Sequence, residues 1–294
     1  MRRAPEHSLK RIAVMAAPGL FIILWSSGFI GAKYGLPYAE PLTFLSIRML
    51  VVVALLAVMV ALGRLARPTG AVIGHNIVSG LLVHGCYLGG VFTAIESGLP
   101  TGLVALIVSL QPVLTSTVAN RLLGERVTPP QWAGLGLGVV GVYLVVHGKL
   151  ASGGAAWPAW PAITVALLGI TAGTLYQKRF GGGIDWRAQF LIQYAAAGVL
   201  FGIGAFALEN RVVEWNLEFA FALAWLVFVM SFAAVWLFYF LIRRSATTRL
   251  TSLLYLMPPV TALMGWVLFD ERLAPLSLFG MAICVVAVFL VNRS

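Results

Sequence analysis

Charge is scarce in this chain. Only 10% of its 294 residues are Asp, Glu, Lys or Arg, while 60% are hydrophobic. Soluble domains carry about 25% charged residues, so too little polar surface is available to cover a water-facing globule. Acids are scarcer than bases, 10 against 20, which leaves a net charge of +10. No basic run is interleaved with aromatic residues, which argues against nucleic acid as a partner. Cysteine is nearly absent. Cys86 and Cys284 lie in apolar runs without C-x-x-C spacing, which excludes a zinc ribbon and a disulfide scaffold. Nothing in the sequence assembles a metal or cofactor site.

What the chain has in abundance is long apolar runs, about one every 25 residues. A run of about 20 apolar residues crosses the hydrocarbon core as one helix. Backbone inside lipid must satisfy its own hydrogen bonds, so the runs are helices. The expected fold class is therefore an all-α integral membrane protein of ten transmembrane helices. The spans are 12–32, 41–62, 73–95, 100–121, 129–147, 156–177, 188–207, 219–242, 249–269 and 275–292. Prolines punctuate their ends, among them Pro41, Pro68, Pro100, Pro129, Pro158 and Pro275. The first run, after Arg2, Arg3, Lys10 and Arg11, is longer than the 7–15 residues of a signal-peptide core and reads as a span.

Loop charges orient these spans. With the N-terminus cytoplasmic, Arg2, Arg3, Lys10, Arg11, Arg64, Arg67, Arg121, Arg126, Lys178, Arg179, Arg187, Arg243, Arg244, Arg249 and Arg293 fall inside. Lys33, Lys149, Arg211 and Arg272 fall outside, and Arg48 lies within a span. Basic residues concentrate in cytoplasmic loops, and an even span count returns the C-terminus to the cytoplasm.

The chain also repeats itself. A shift of 146 residues places Pro112 on Pro258, Thr115 on Thr261, Pro129 on Pro275 and Gly134 on Gly280, with 14 identities over the 49 positions 100–148. The string Glu-Arg-x-x-Pro occurs at Glu125-Arg126 and again at Glu271-Arg272. A weaker match, shifted by 145, pairs Gly28 with Gly173 and Lys33 with Lys178. The division is therefore residues 1–148 and 149–294, five spans each. An odd number per half inverts the second half in the membrane. Inverted repeats enclosing a midplane site are an architecture of secondary transporters.

These features resemble the drug/metabolite transporter superfamily in its EamA branch, and within it the YddG-type amino-acid exporters. The resemblance covers the whole chain. It rests on the ten short spans, the paired Glu-Arg strings, the opening Trp25-Ser26-Ser27-Gly28-Phe29 and the stretch from Pro41 to Arg48. It implies two lobes around a central cavity and export of amino acids or related metabolites across the inner membrane.

Polar groups at membrane depth need a partner or a wet cavity. Asn76, Gly80, His84 and Tyr87 follow three- and four-residue steps and share one helix face. A cavity-lining stripe and a histidine bonded to a neighbouring helix are both open readings. Arg48 is suited to bind a substrate carboxylate through its planar fork; the alternatives are snorkelling outward or pairing with Glu96 or Asp270. Trp25, Ser26, Gln111, Tyr176, Gln177, Trp236, Tyr239, Ser252 and Tyr255 complete the expected cavity lining. Pro112, Pro258 and Pro259 lie near midspan, where proline frees carbonyls and kinks or hinges a helix. Gly134, Gly138 and Gly280 are expected to pack helices closely. The string Gly136-x-Gly138-x-x-Gly141 mimics a dinucleotide fingerprint but has no preceding strand and no following acid.

No carboxylate lies deep in any span, which favours facilitated export over proton coupling. A drug or nucleotide-sugar carrier is the second transport reading. An intramembrane lipid-modifying enzyme is disfavoured because no His, Asp, Glu or Ser cluster sits near an interface. The partners implied are a small-molecule substrate and the lipid bilayer; the oligomeric state is left open.

Overall fold

The structure, a computed structural model, describes residues 4–63, 65, 68–99, 101–124, 126–147, 157–244, 247–269 and 274–293. Arg2, Arg3, Arg64, Arg67, Glu125, Lys149, Asp270, Glu271, Arg272 and the expected division at 148/149 lie outside the described residues.

The described residues form ten helices, two of them interrupted. They are α1 (Ala4–Gly35), α2 (Pro41–Gly63), α3 (Gly70–Glu96), α4 (101–123), α5 (Pro129–Val146), α6 (Ala159–Phe180), α7 (Trp186–Leu208), α8 (Leu217–Arg244), α9 (247–269) and α10 (Pro275–Arg293). Among the described residues, eight stretches are long and apolar enough to cross a membrane, and Val104–Ala119 is a shorter apolar helix. The chain is a multi-helix membrane protein. Large apolar side chains on its outside, such as Leu50, Val199, Ile203, Phe206, Val267 and Phe279, are more than half exposed. In water such a surface would aggregate; against acyl chains it is the solvated face.

Local chemistry sets the helix ends. Proline opens α2, α5 and α10, where its missing N–H costs nothing. Thr128 and Gln131 form a reciprocal capping box on α5. Asp185 caps α7, and Asn216 caps α8 by accepting from the Phe219 N–H at 2.8 Å. Gly124 ends α4 at φ 70°, a conformation glycine adopts without strain.

Packing follows the repeat. α1 packs against α8 and α9, and its equivalent α6 packs against α3 and α4. α2 lies along α7, and α5 along α10. Irregularities also recur at equivalent places. α3 and α8 each contain a π segment, Leu81–Cys86 and Trp225–Ala234. α4 breaks at 109–110, immediately before Gln111-Pro112, and α9 narrows to a 3₁₀ turn, Leu253–Leu256, before Met257-Pro258-Pro259. In α4 the Ser109 hydroxyl donates to the Ala105 and Leu106 carbonyls at 2.7 and 2.9 Å, satisfying acceptors next to the break.

Gly134, Gly138 and Gly280 lie in the α5–α10 pair, where Gly280 is buried. A Cβ on Gly134 would stand 2.8 Å from the Val291 side chain, and one on Gly138 would stand 2.5 Å from the Tyr255 ring. Cys86 and Cys284 are free thiols.

Candidate functional site

Four residues singled out in the sequence converge at the middle of the bundle. Trp25 on α1, Arg48 on α2 and His84 and Tyr87 on α3 line one cavity of 30 Å³, together with Met230 on α8. That volume holds about two waters, so any larger ligand requires the helices to part. Both π segments border it, one bringing His84 and the other Met230 and Ser231. Such bulges are frequent at functional sites because they re-aim side chains within a helix.

Arg48 does not snorkel. It is 2% exposed and donates from Nε and one terminal nitrogen to the Ser231 hydroxyl at 3.1 and 3.0 Å. The Tyr194 and Tyr87 hydroxyls lie within electrostatic reach. No ion pair to Arg48 occurs among the described residues, so neither Glu96 nor any other described carboxylate compensates it. A buried cation without an anion carries several kcal/mol of unrecovered desolvation, on the order of the penalty per ion in protein interiors. His84 is 1% exposed and its ring lies 4.2 Å from that of Tyr194. Its Nε2 is buried without a hydrogen-bond partner. Trp25 donates to the Tyr87 hydroxyl at 3.2 Å, and their rings stack at 6.2 Å.

Buried side chains pack on both sides of the cavity. On the side of the 36–40 loop, Phe44, Phe92 and Phe219 form a buried plug, with Phe44 5.7 Å from Phe92 and 5.0 Å from Phe219. Two carboxylates lock the loops above it. Glu209 accepts from the Leu42 and Thr43 N–H groups and the Thr43 hydroxyl, each at 2.7 Å. Glu40 in turn accepts from the Asn210 and Arg211 N–H groups at 2.8 and 3.1 Å. Charge-assisted bonds of this kind are roughly twice as strong as neutral ones.

Toward the other end the seal is polar. Gln193 donates to Asn76 at 2.9 Å and to Gln177 at 3.1 Å, and accepts from the Tyr239 hydroxyl at 2.7 Å. Ser79 donates to Gln177 at 2.6 Å. The network joins α3, α6, α7 and α8 and is satisfied across four helices, so opening it exposes several polar groups at once. Gly80 makes it possible: a Cβ there would lie 2.5 Å from the Gln193 carbonyl oxygen. Gly80→Ala is expected to destabilise the protein by about 1–3 kcal/mol through overpacking. Gly74→Ala, with nothing within 4 Å, should not lower the melting temperature and should raise it slightly through helix propensity. Thermal unfolding in detergent checks both.

The remaining expected lining residues stand elsewhere. Gln111 straps α4 to α6 through Thr174 at 2.9 Å. Tyr176 bonds His75 at 2.8 Å at the α3–α6 contact. Trp236 is 41% exposed and stacks on Phe240 at 5.3 Å, turned away from the central cavity. Ser252 accepts from Asn292 at 3.1 Å, tying α9 to α10. Tyr255 donates to the Leu135 carbonyl at 3.0 Å and packs on Gly138. Ser26 is fully buried with its hydroxyl unpartnered, close in sequence to Trp25 but not in the cavity wall. Buried serines, glutamines and aromatics serve packing as readily as binding, and sequence alone does not fix which way each helix is rotated. Conversely, Ser231, Tyr194, Glu209 and the phenylalanine plug were not singled out from sequence.

Comparison with known proteins then decides the family. The sequence profile of the EamA-like transporter family matches twice, over residues 13–147 and 159–293. The chain belongs to the EamA-like transporter family. A relative from Escherichia coli described as "uncharacterized inner membrane transporter YedA" is 26% identical over 273 residues, 92% of this chain and 87% of that protein. Another from Escherichia coli, described as "probable amino-acid metabolite efflux pump", is 24% identical over 281 residues, 92% of each chain. A solved crystal structure shares the fold with a TM-score of 0.76 at 20% identity, covering 94% of this EamA-like chain and 95% of the other.

Proposed function

We propose that this EamA-like transporter exports amino acids, including aromatic or other apolar ones, or related carboxylated metabolites across the inner membrane by alternating access. One observation carries the reading: Arg48 is buried at the bundle centre with no carboxylate partner among the described residues, beside the unpartnered His84 Nε2. A substrate carboxylate supplies the missing charge and accepts from both groups. Trp25 and Tyr87 offer ring faces to an apolar side chain or an ammonium group. The relative described as a probable amino-acid metabolite efflux pump supports this substrate class.

In this reading residues 1–148 and 149–294 are two inverted halves, and both termini are cytoplasmic, as the loop charges favour. The phenylalanine plug with its Glu40 and Glu209 lock is then the outer gate, and the Gln193 network the inner one. Pro112, Pro258 and Pro259 stand at the helix breaks that permit bending. No described carboxylate lies deep in a helix, so export follows the substrate's own gradient. Counterflow of labelled amino acids in proteoliposomes, with and without a pH gradient, tests this. Exchange of amino acids independent of the pH gradient is expected. Exchange only of a nucleotide sugar or of drugs lacking a carboxylate would replace the reading.

A further inference from the structure

The residues Trp236 and Tyr239 lead to a second site. They border a groove of 270 Å³ between the first turn of α7 and the last turns of α8, separate from the central cavity. Its rim carries Arg243 and Arg244, and its walls are Trp186, Trp236 and Phe240. Arg243 is held in place by the Gly181 carbonyl and the Gln189 side-chain oxygen at 2.8 and 2.7 Å. Arg244 lies 4.3 Å over the Phe240 ring. Neither has a carboxylate partner among the described residues. The nearby acid, Asp185, is committed to Arg187 at 2.9 Å and to the α7 N-terminus. Gln189 lines the same groove and is 1% exposed, yet its Nε2 has no hydrogen-bond partner. Two cations and an orphaned amide donor therefore meet at one helix end, where the α7 dipole adds further positive potential.

We propose that this groove binds the phosphate of an anionic phospholipid, with an acyl chain lying along Trp236 and Phe240. Charge complementarity selects an anion. The walls select a lipid over a free ion, because the Trp236 ring is 41% exposed about two turns inward from the arginines, at the depth where glycerol and acyl chains begin. Basic pockets between helices at a membrane surface suit anionic headgroups, each nearby Arg contributing about fivefold in affinity. Tyr239 links the groove to the polar seal through Gln193, so a lipid seated here braces α7 and α8 directly beneath that seal. The site stands independently of what the central cavity carries.

Native mass spectrometry of the full chain, titrated with phosphatidylglycerol, phosphatidylcholine and inorganic phosphate, tests the proposal. Phosphatidylglycerol should form a retained adduct that phosphatidylcholine does not match. Arg244→Gln and, separately, Gln189→Leu should each weaken that adduct several-fold, about fivefold for the arginine. Arg244 lies over the Phe240 ring of its own helix and has no ion pair among the described residues, so its variant should fold, and an unchanged melting temperature verifies this. Adducts unaffected by both substitutions, equal retention of phosphatidylcholine, or displacement of the lipid by inorganic phosphate at the same concentration would each overturn the assignment.

Discussion

Replacing Arg48 by methionine should abolish transport while making the protein more stable. The two effects have one cause. In the closed structure the guanidinium is 2% exposed, its direct hydrogen bonds go to Ser231, and no described carboxylate pairs with it. Exchanging uncompensated buried charge for apolar volume is often stabilising by about 1–4 kcal/mol. The same exchange removes the only cation among the described residues that line the cavity. Losing one partner of a buried, hydrogen-bonded charge pair costs about 2–5 kcal/mol, which corresponds to a fall of roughly two orders of magnitude or more in carboxylate affinity. Counterflow in proteoliposomes reads the first effect and thermal unfolding the second. A variant that loses stability and transport together would make Arg48 a structural residue. His84→Ala should reduce transport less, because a neutral donor contributes less than a charged one.

The second large effect is expected at the polar seal. Gln193→Leu removes a donor and an acceptor on which Asn76, Gln177 and Tyr239 depend. Each buried polar group left unpartnered costs about 1–3 kcal/mol. The closed arrangement should therefore lose several kcal/mol relative to one in which water reaches these groups. The readout is a cysteine at Val83, which is 1% exposed and lines the central cavity, in a background with Cys86 and Cys284 replaced. A thiol reagent should modify it about a hundredfold faster in the Gln193→Leu background, the factor that about 3 kcal/mol of population shift produces. Unchanged reactivity would mean that these bonds do not hold the seal closed.

These residues show how far the sequence could be read. Helix number and ends were legible because hydrocarbon thickness and proline placement act locally; 41–62 became Pro41–Gly63 and 129–147 became Pro129–Val146. Periodicity placed Asn76, Gly80, His84 and Tyr87 on one face; the first three turn toward α7, whereas Tyr87, beyond the π segment, meets Trp25 on α1. The partners were not legible. Arg48 and Ser231 are 183 residues apart, and Ser79 and Gln177 are 98 apart. A serine within a span more often bonds its own helix, and Ser231 does so as well, donating to the Leu226 carbonyl at 3.0 Å. Nor does helical spacing fix depth of burial: Trp236 and Tyr239, three residues apart in the regular turns after the π segment, border one groove, yet Tyr239 enters the seal while Trp236 is 41% exposed. Glu40 and Glu209 sit in loops, where their reciprocal pairing has no local signature.

The most direct measurement is equilibrium binding of phenylalanine and of phenethylamine, the same molecule without its carboxylate, to purified wild-type and Arg48→Lys protein. The account predicts that wild type binds the amino acid and scarcely binds the amine. It also predicts that Arg48→Lys, which keeps the charge but loses the planar fork, binds phenylalanine much more weakly. Equal binding of both ligands, or of phenylalanine by both proteins, would contradict it.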